Sequence, residues 1–129
     1  MKKSEIFNLL MDKICDVCEV RKESIIGGAK YQTVVDAKVL LVQYLRRLGL
    51  TNDEIALIML RMKEDDMNYF PSVEEVKRKA KGIDNLFKIY SERCIQSRAF
   101  GLMSIEIRDF CAQAFDDMYY IGMNQKPKQ

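Results

Sequence analysis

The hydrophobic positions of this chain recur three and four residues apart along almost its whole length, which is the spacing of one face of an α-helix. Ile6, Leu9/Leu10, Ile14 and Val17/Cys18 set the first such face, opened by a cap at Ser4 and reaching about Val20. Lys22–Ile26 predicts one short helical turn that stops at Gly27-Gly28, where positive φ is cheap. The most apolar stretch runs from Thr33 to Leu48. Val34, Ala37, Leu41, Tyr44, Leu45 and Leu48 make its stripe, Val35, Val39, Leu40 and Val42 widen it, and Asp36, Gln43, Arg46 and Arg47 remain as a narrow polar strip. A helix this apolar belongs at the centre of a core, and Gly49 ends it.

Two helix starts follow. Thr51-Asn52-Asp53-Glu54 reads as a capping box, in which Thr51 accepts from a first-turn amide and Glu54 reaches back. Its helix runs through Met62, with Ile55, Ile58, Met59 and Met62 inward. A polar loop, 63–70, leads to a second start at Pro71-Ser72, with Ser72 as cap and Glu75 completing a box. Val73, Val76, Ala80, Ile83, Phe87, Tyr90 and Cys94 then keep one register, which predicts a single long helix to about Ser97 despite Gly82. A last helix is expected over 104–121 from Ile107, Cys111, Ala114, Met118 and Ile121, with a disordered tail at 123–129. The expectation is an all-α bundle of about six helices, forming one domain over 1–122.

Composition supports that class. Hydrophobic residues make up 48% of the 129 residues, enough for a core, while two prolines and six glycines leave long stretches free to stay helical. No apolar run approaches the ~20 residues of a membrane span and no signal-peptide core is present, so a cytoplasmic protein is expected. The net charge of +2 hides an uneven distribution. Residues 1–50 hold nine Lys/Arg against six Asp/Glu, 51–70 two against five, 71–100 seven against four, and 101–129 three against four. An acidic segment therefore sits between two modestly basic ones, compatible with a local nucleic-acid footprint.

Candidate chemistry is sparse. The chain has no histidine, so it lacks the commonest general base and the usual partner of a Ser or Cys nucleophile. Cys15 and Cys18 form a CxxC, yet no second CxxC accompanies it, and its setting is mid-helix rather than a loop or helix N-terminus. With Cys94 and Cys111 these read as reduced core residues. The adjacent pairs Asp65-Asp66 and Asp116-Asp117 point apart on a helix, and Gly27-Gly28 is not followed by the Gly-Lys-Ser/Thr of a phosphate loop. Neither catalysis nor a metal or cofactor is expected.

The remaining signal is an ordered series of landmarks: Val20-Arg-Lys-Glu-Ser-Ile-Ile-Gly-Gly28, Val34-Val-Asp-Ala-Lys38, and Tyr44-Leu-Arg-Arg-Leu-Gly-Leu-Thr-Asn-Asp-Glu-Ile55. Over about residues 5–87 it resembles the C-terminal DNA-binding domain of the bacterial replication initiator DnaA. That domain places a basic loop before a central helix with an Ala-Arg pair, then a capped helix reading Ser-x-x-Glu-Ile. The resemblance implies a helix-turn-helix scaffold, with 88–122 as a helical extension, and double-stranded DNA as partner in regulating replication or transcription. This chain departs from the pattern at several points. Lys30 is the only basic residue in 27–33, Ala37-Lys38 replaces Ala-Arg, and Tyr69-Phe70-Pro71-Ser72-Val73 stands where the family reads bases with Asp-His-Thr-Thr-Val. Glu64, Asp65 and Asp66 precede that segment and Glu74 and Glu75 follow it. No trace of the initiator's ATPase module is present.

On this reading Lys30, Lys38, Lys77, Arg78 and Lys81 contact phosphates, while Ser72 and Tyr69 lie nearest the base edges. The start of the long helix offers Ser72, Lys77, Arg78, Lys79 and Lys81, and Lys77, Lys81 and Lys88 share one stripe of it. The alternative is a protein–protein interaction module that has kept the scaffold and lost DNA recognition. It would use the C-terminal helices, with Tyr119 and Tyr120 beside Met118 and Met123, to bind a partner or a second copy as a homodimer. The first reading needs the lysines on one positive face; the second needs an exposed apolar patch.

Overall fold

The computed structural model describes residues 1–116, and their regular structure is all helical. Six helices follow one another: α1 Lys3–Cys18, α2 Lys22–Gly27, α3 Gln32–Arg47, α4 Asn52–Lys63, α5 Val73–Gln96 and α6 Arg98–Ala114. The expected tail and the Met118, Tyr119, Tyr120, Ile121 and Met123 positions lie outside the described residues.

α3 is the axis, packing against each of the other five helices. Ala37, Leu40 and Leu45 are completely buried, and Val34, Leu41, Tyr44 and Leu48 nearly so, as their spacing requires. Against them lie Ile6, Phe7, Leu10, Met11 and Ile14 of α1, Ile55 and Ala56 of α4, and Ile107 and Cys111 of α6. Each fully buried side chain of this size contributes about 1.5–3 kcal/mol, which makes the α1–α3 seam the main source of stability.

The polar strip of α3 divides in two. Asp36 is buried rather than solvated, which corrects its placement on an outer strip. Gln32 Nε2 donates to its Oδ1 at 2.7 Å and Cys94 Sγ donates to the same oxygen at 3.3 Å. A carboxylate can be buried where such partners meet it, and this one ties α3 to the far end of α5. Arg46, one residue from the end of α3, donates from Nε to Asn52 Oδ1 at 3.0 Å and from its Nη2 to Asp84 Oδ1 at 3.2 Å, with Phe87 under its guanidinium at 4.6 Å. It therefore clamps α3, the start of α4 and the middle of α5.

Helix ends follow their caps in part. Thr51 Oγ1 accepts from Glu54 N at 3.2 Å and Glu54 Oε1 accepts from Thr51 N at 2.9 Å, the reciprocal pair of a capping box. Ser72 Oγ accepts from Glu75 N at 3.1 Å, but Glu75 turns its carboxylate to the Tyr69 hydroxyl instead of closing a box. Ser4 does not cap α1: the helix starts a residue earlier, at Lys3, and Glu5 accepts from Lys2 N at 3.1 Å. α1 also ends before Val20, because Glu19 adopts φ 54 and Val20 N turns back to Cys15 O. α6 begins at Arg98 instead of 104. Ser97 closes α5 and caps α6, its Oγ accepting from Phe100 N at 3.2 Å, so the two long helices meet without a loop and pack on each other.

Gly28 and Gly49, with φ 85 and 97, supply the left-handed turns after α2 and α3. Gly82 differs. It lies inside α5 with open space where a Cβ would stand, so neither a turn nor a close approach calls for glycine there. It costs α5 about 0.5–1 kcal/mol relative to alanine.

Candidate functional site

α5 packs on α3 and α4 through Val76, Ala80 and Ile83, and this seam separates two flanks of the helix. On one flank stand Lys77, Lys81 and Lys88, spaced to share a stripe. Lys77 Nζ meets Asp53 Oδ2 at 2.5 Å, so the acidic first turn of α4 takes up its charge. Lys88 pairs with Asp84 at 2.9 Å, and Asp84 also receives Arg46. The hydrogen bond from Lys88, with the charges of Lys88 and Arg46 behind it, holds the Asp84 carboxyl below its usual range. Lys81 is exposed and makes no ion pair among the described residues.

The other flank borders a cleft of about 430 Å3 between α3, α4 and α5. Leu41 and Val42 of α3, Met59 and Leu60 of α4, and Ile83 and Leu86 of α5 form its floor, with Ile25 of α2 at one end. Lys38, Lys63, Arg78 and Lys79 stand around the rim with one carboxylate, Glu75. Among the described residues none of these four cations makes an ion pair. The helical pattern explains their position. Lys38 lies one residue beyond Ala37 on a helix that is buried almost all round, and Lys79 lies beside Ala80, so both stems run along apolar surface before the ammonium escapes.

That arrangement weakens the hold of both lysines on their protons. Burial lowers the Lys38 pKa, and the neighbouring charges of Lys79 and Lys30 lower it further. Burial lowers that of Lys79 too, with Lys63 adding to the effect. Lys30, Lys38, Lys79 and Lys63 thus form one run of mutually repelling cations. Among the described residues the Lys38 ammonium has one acceptor, Ala29 O at 3.3 Å.

The residues singled out from the sequence distribute unevenly. Lys38 and Arg78 lie on the cleft rim and Lys30 is close enough to act on Lys38, while Lys77 and Lys81 stand on the opposite flank. Ser72 is engaged as the α5 cap. Tyr69 donates from its hydroxyl to Glu75 Oε1 at 3.2 Å, a bond that raises its pKa, and its carbonyl accepts from Arg61 Nε at 2.9 Å. Val73, assigned to the apolar seam, is 75% exposed, and Phe70 beside it is 83% exposed with the Arg61 guanidinium 5.3 Å from its ring. Lys79, one of the basic residues at the start of α5, and Lys63, which was not singled out, complete the cationic rim. The available signal was their register, since Lys79 precedes Gly82, Ile83 and Leu86 at the spacing of one helix face.

The cysteines have a different character. Cys18, Cys94 and Cys111 are buried and burial pushes each thiol up to about 12, helped by Asp36 at Cys18 and Cys94. Such thiols stay protonated at neutral pH, which disfavours nucleophilic or ligating roles. Among the described residues no group of three Cys, Asp or Glu is arranged to hold a metal ion, and no helix is long and apolar enough to cross a membrane. No protein-family model, no curated protein and no solved structure matches this chain.

Proposed function

We propose that the protein binds double-stranded DNA through phosphate contacts on an initiator-like helix-turn-helix scaffold, as a cytoplasmic regulator of replication or transcription and not as an enzyme. The observation that carries this reading is the run Lys30–Lys38–Lys79–Lys63 with Arg78, five cations close together with no carboxylate paired to any of them among the described residues. Protein cations left unpaired and near one another are suited to a polyanion, because each phosphate contact releases a condensed counterion. α4 and α5 stand for the two helices of the motif, although their connection, 64–72, is longer than the usual three or four residues. Glu74 and Glu75 at the start of α5 oppose deep entry of that end into a groove. Backbone contact along the lysine run, with little base readout, fits both facts.

The test is fluorescence anisotropy with a random-sequence duplex. Five phosphate contacts predict binding that weakens about five-hundredfold between 50 and 200 mM salt. Absence of binding at the lower salt would overturn the proposal.

A second reading, an interaction module, has its own support. Ile89 and Ile95 on α5 and Leu102 and Ile105 on α6 are large, aliphatic and exposed, all in the C-terminal helices. Exposed aliphatic side chains on both C-terminal helices support a protein partner or a second copy there. Sedimentation of the full chain across a hundredfold concentration range separates the two: a monomer throughout removes the homodimer.

A further inference from the structure

We infer that the cleft between α3, α4 and α5 is a binding site for a small organic anion: an apolar body of about ten carbon atoms bearing one carboxylate or phosphate head. Three independent features lead there. The first is shape and polarity, since a volume of about 430 Å3 lies within the range of small-ligand pockets and its floor is entirely aliphatic or thioether. The second is charge. Lys38, Lys63, Arg78 and Lys79 surround the mouth against Glu75 alone, and Lys79 has neither a hydrogen bond nor an ion pair among the described residues. Two lysines held partly out of water beside each other are costly for the empty protein, and an anionic head between them relieves both the desolvation and the repulsion.

The third feature is Gly82. A glycine weakens the interior of a helix, and nothing in the packing of α5 requires one at this position. It lines the cleft, and its register with Lys79, Ile83 and Leu86 puts it on the same helix face as they are. The glycine keeps the cleft open at the expense of the helix, which makes sense when the space is used.

The occupant follows from these features together. An inorganic anion alone would ignore the apolar floor, and a neutral apolar molecule would leave the cations unmet. Residues 117–129 of this chain offer Asp117 against Lys126 and Lys128, so they would add positive charge to a positive rim. Binding here does not depend on whether DNA is the macromolecular partner.

Isothermal titration of the full-length protein with decanoate, decyl phosphate and decanol, each below its aggregation limit, tests the inference. One equivalent of decanoate or decyl phosphate should bind at least tenfold more tightly than decanol, and the tighter of the two anions identifies the head. Lys38→Gln/Lys79→Gln should remove that tenfold preference and leave decanol unchanged. Gly82→Leu should abolish binding of all three while melting at or above the wild-type temperature, because leucine improves the helix as it fills the space. Equal binding of decanol and the anions, wild-type binding in folded Gly82→Leu, or no heat with any probe would each overturn the inference. Should Gly82→Leu fail to fold, the lysine pair decides alone.

Discussion

The two flanks of α5 carry similar numbers of basic residues and do different things with them. On one, Lys77 and Lys88 are taken up by Asp53 and Asp84, and Arg46 joins the latter as part of a clamp. On the other, Lys38, Lys63, Arg78 and Lys79 gather around an apolar floor with no ion pair among the described residues. Basic residues in a sequence therefore count as a binding surface only after the carboxylates of neighbouring helices have been assigned. Apart from Lys81, the first flank spends its charge on the fold, whereas the second keeps it available.

The largest expected effect sets the flanks against each other. Lys38→Gln/Lys79→Gln should weaken duplex binding about thirtyfold and lower the salt slope by about two, since each lysine stands for one phosphate contact. Lys77→Gln/Lys88→Gln should change affinity by less than about threefold, because Asp53 and Asp84 already neutralise these two lysines. Anisotropy on both double variants decides the matter. If the second pair has the greater effect, DNA lies on the ion-paired flank and the comparison is reversed.

The next effect is on stability. Arg46→Ala removes two hydrogen bonds and a ring contact that join three helices, and should destabilise the protein by about 1–2 kcal/mol in urea unfolding. Lys88→Ala, which loses one exposed pair four residues away on the same helix, should cost no more than about 0.5 kcal/mol. Equal costs would mean that Asp84 serves Lys88 as much as it serves the clamp, and that charge on this flank is not structural in the way described.

What could be read from the sequence divides along the same line. Periodicity placed α3 at the centre, and Thr51 and Ser72 marked the starts of α4 and α5, because capping and amphipathic spacing are local properties. Asp36 could not be placed, since its burial depends on Cys94, fifty-eight residues on, arriving with a donor. Lys38, Arg78 and Lys79 stood out as basic, but Lys63 joins them in a rim only when three helices pack around one opening. Ser97 was overlooked as a cap because the chain reverses there with no loop residues to signal it. The pairing of Lys77 with Asp53, on the next helix over, was equally invisible to spacing within α5.

The smallest effect concerns pH, and the two flanks respond at opposite ends of the scale. Lys38 and Lys79 have folded pKa values below the ordinary 10.5, so the native state holds their protons less firmly than the unfolded chain does. Their cost to stability is complete at neutral pH and is relieved as pH rises from the folded values toward 10.5. Asp84 is depressed below 3.8, so its contribution is present above that value and is lost as pH falls through the folded one. Both flanks are partly exposed, which keeps the effects small. Melting of Lys38→Met/Lys79→Met should exceed wild type by on the order of 1–2 °C at pH 7, with the gap narrowing as pH rises toward 10.5. Asp84→Asn should melt below wild type at pH 7, with the difference shrinking as pH falls below 3.8. A Lys38/Lys79 gap that stays constant with pH would locate its origin in packing of the methionines, and the open flank would then carry no electrostatic strain for a ligand to relieve.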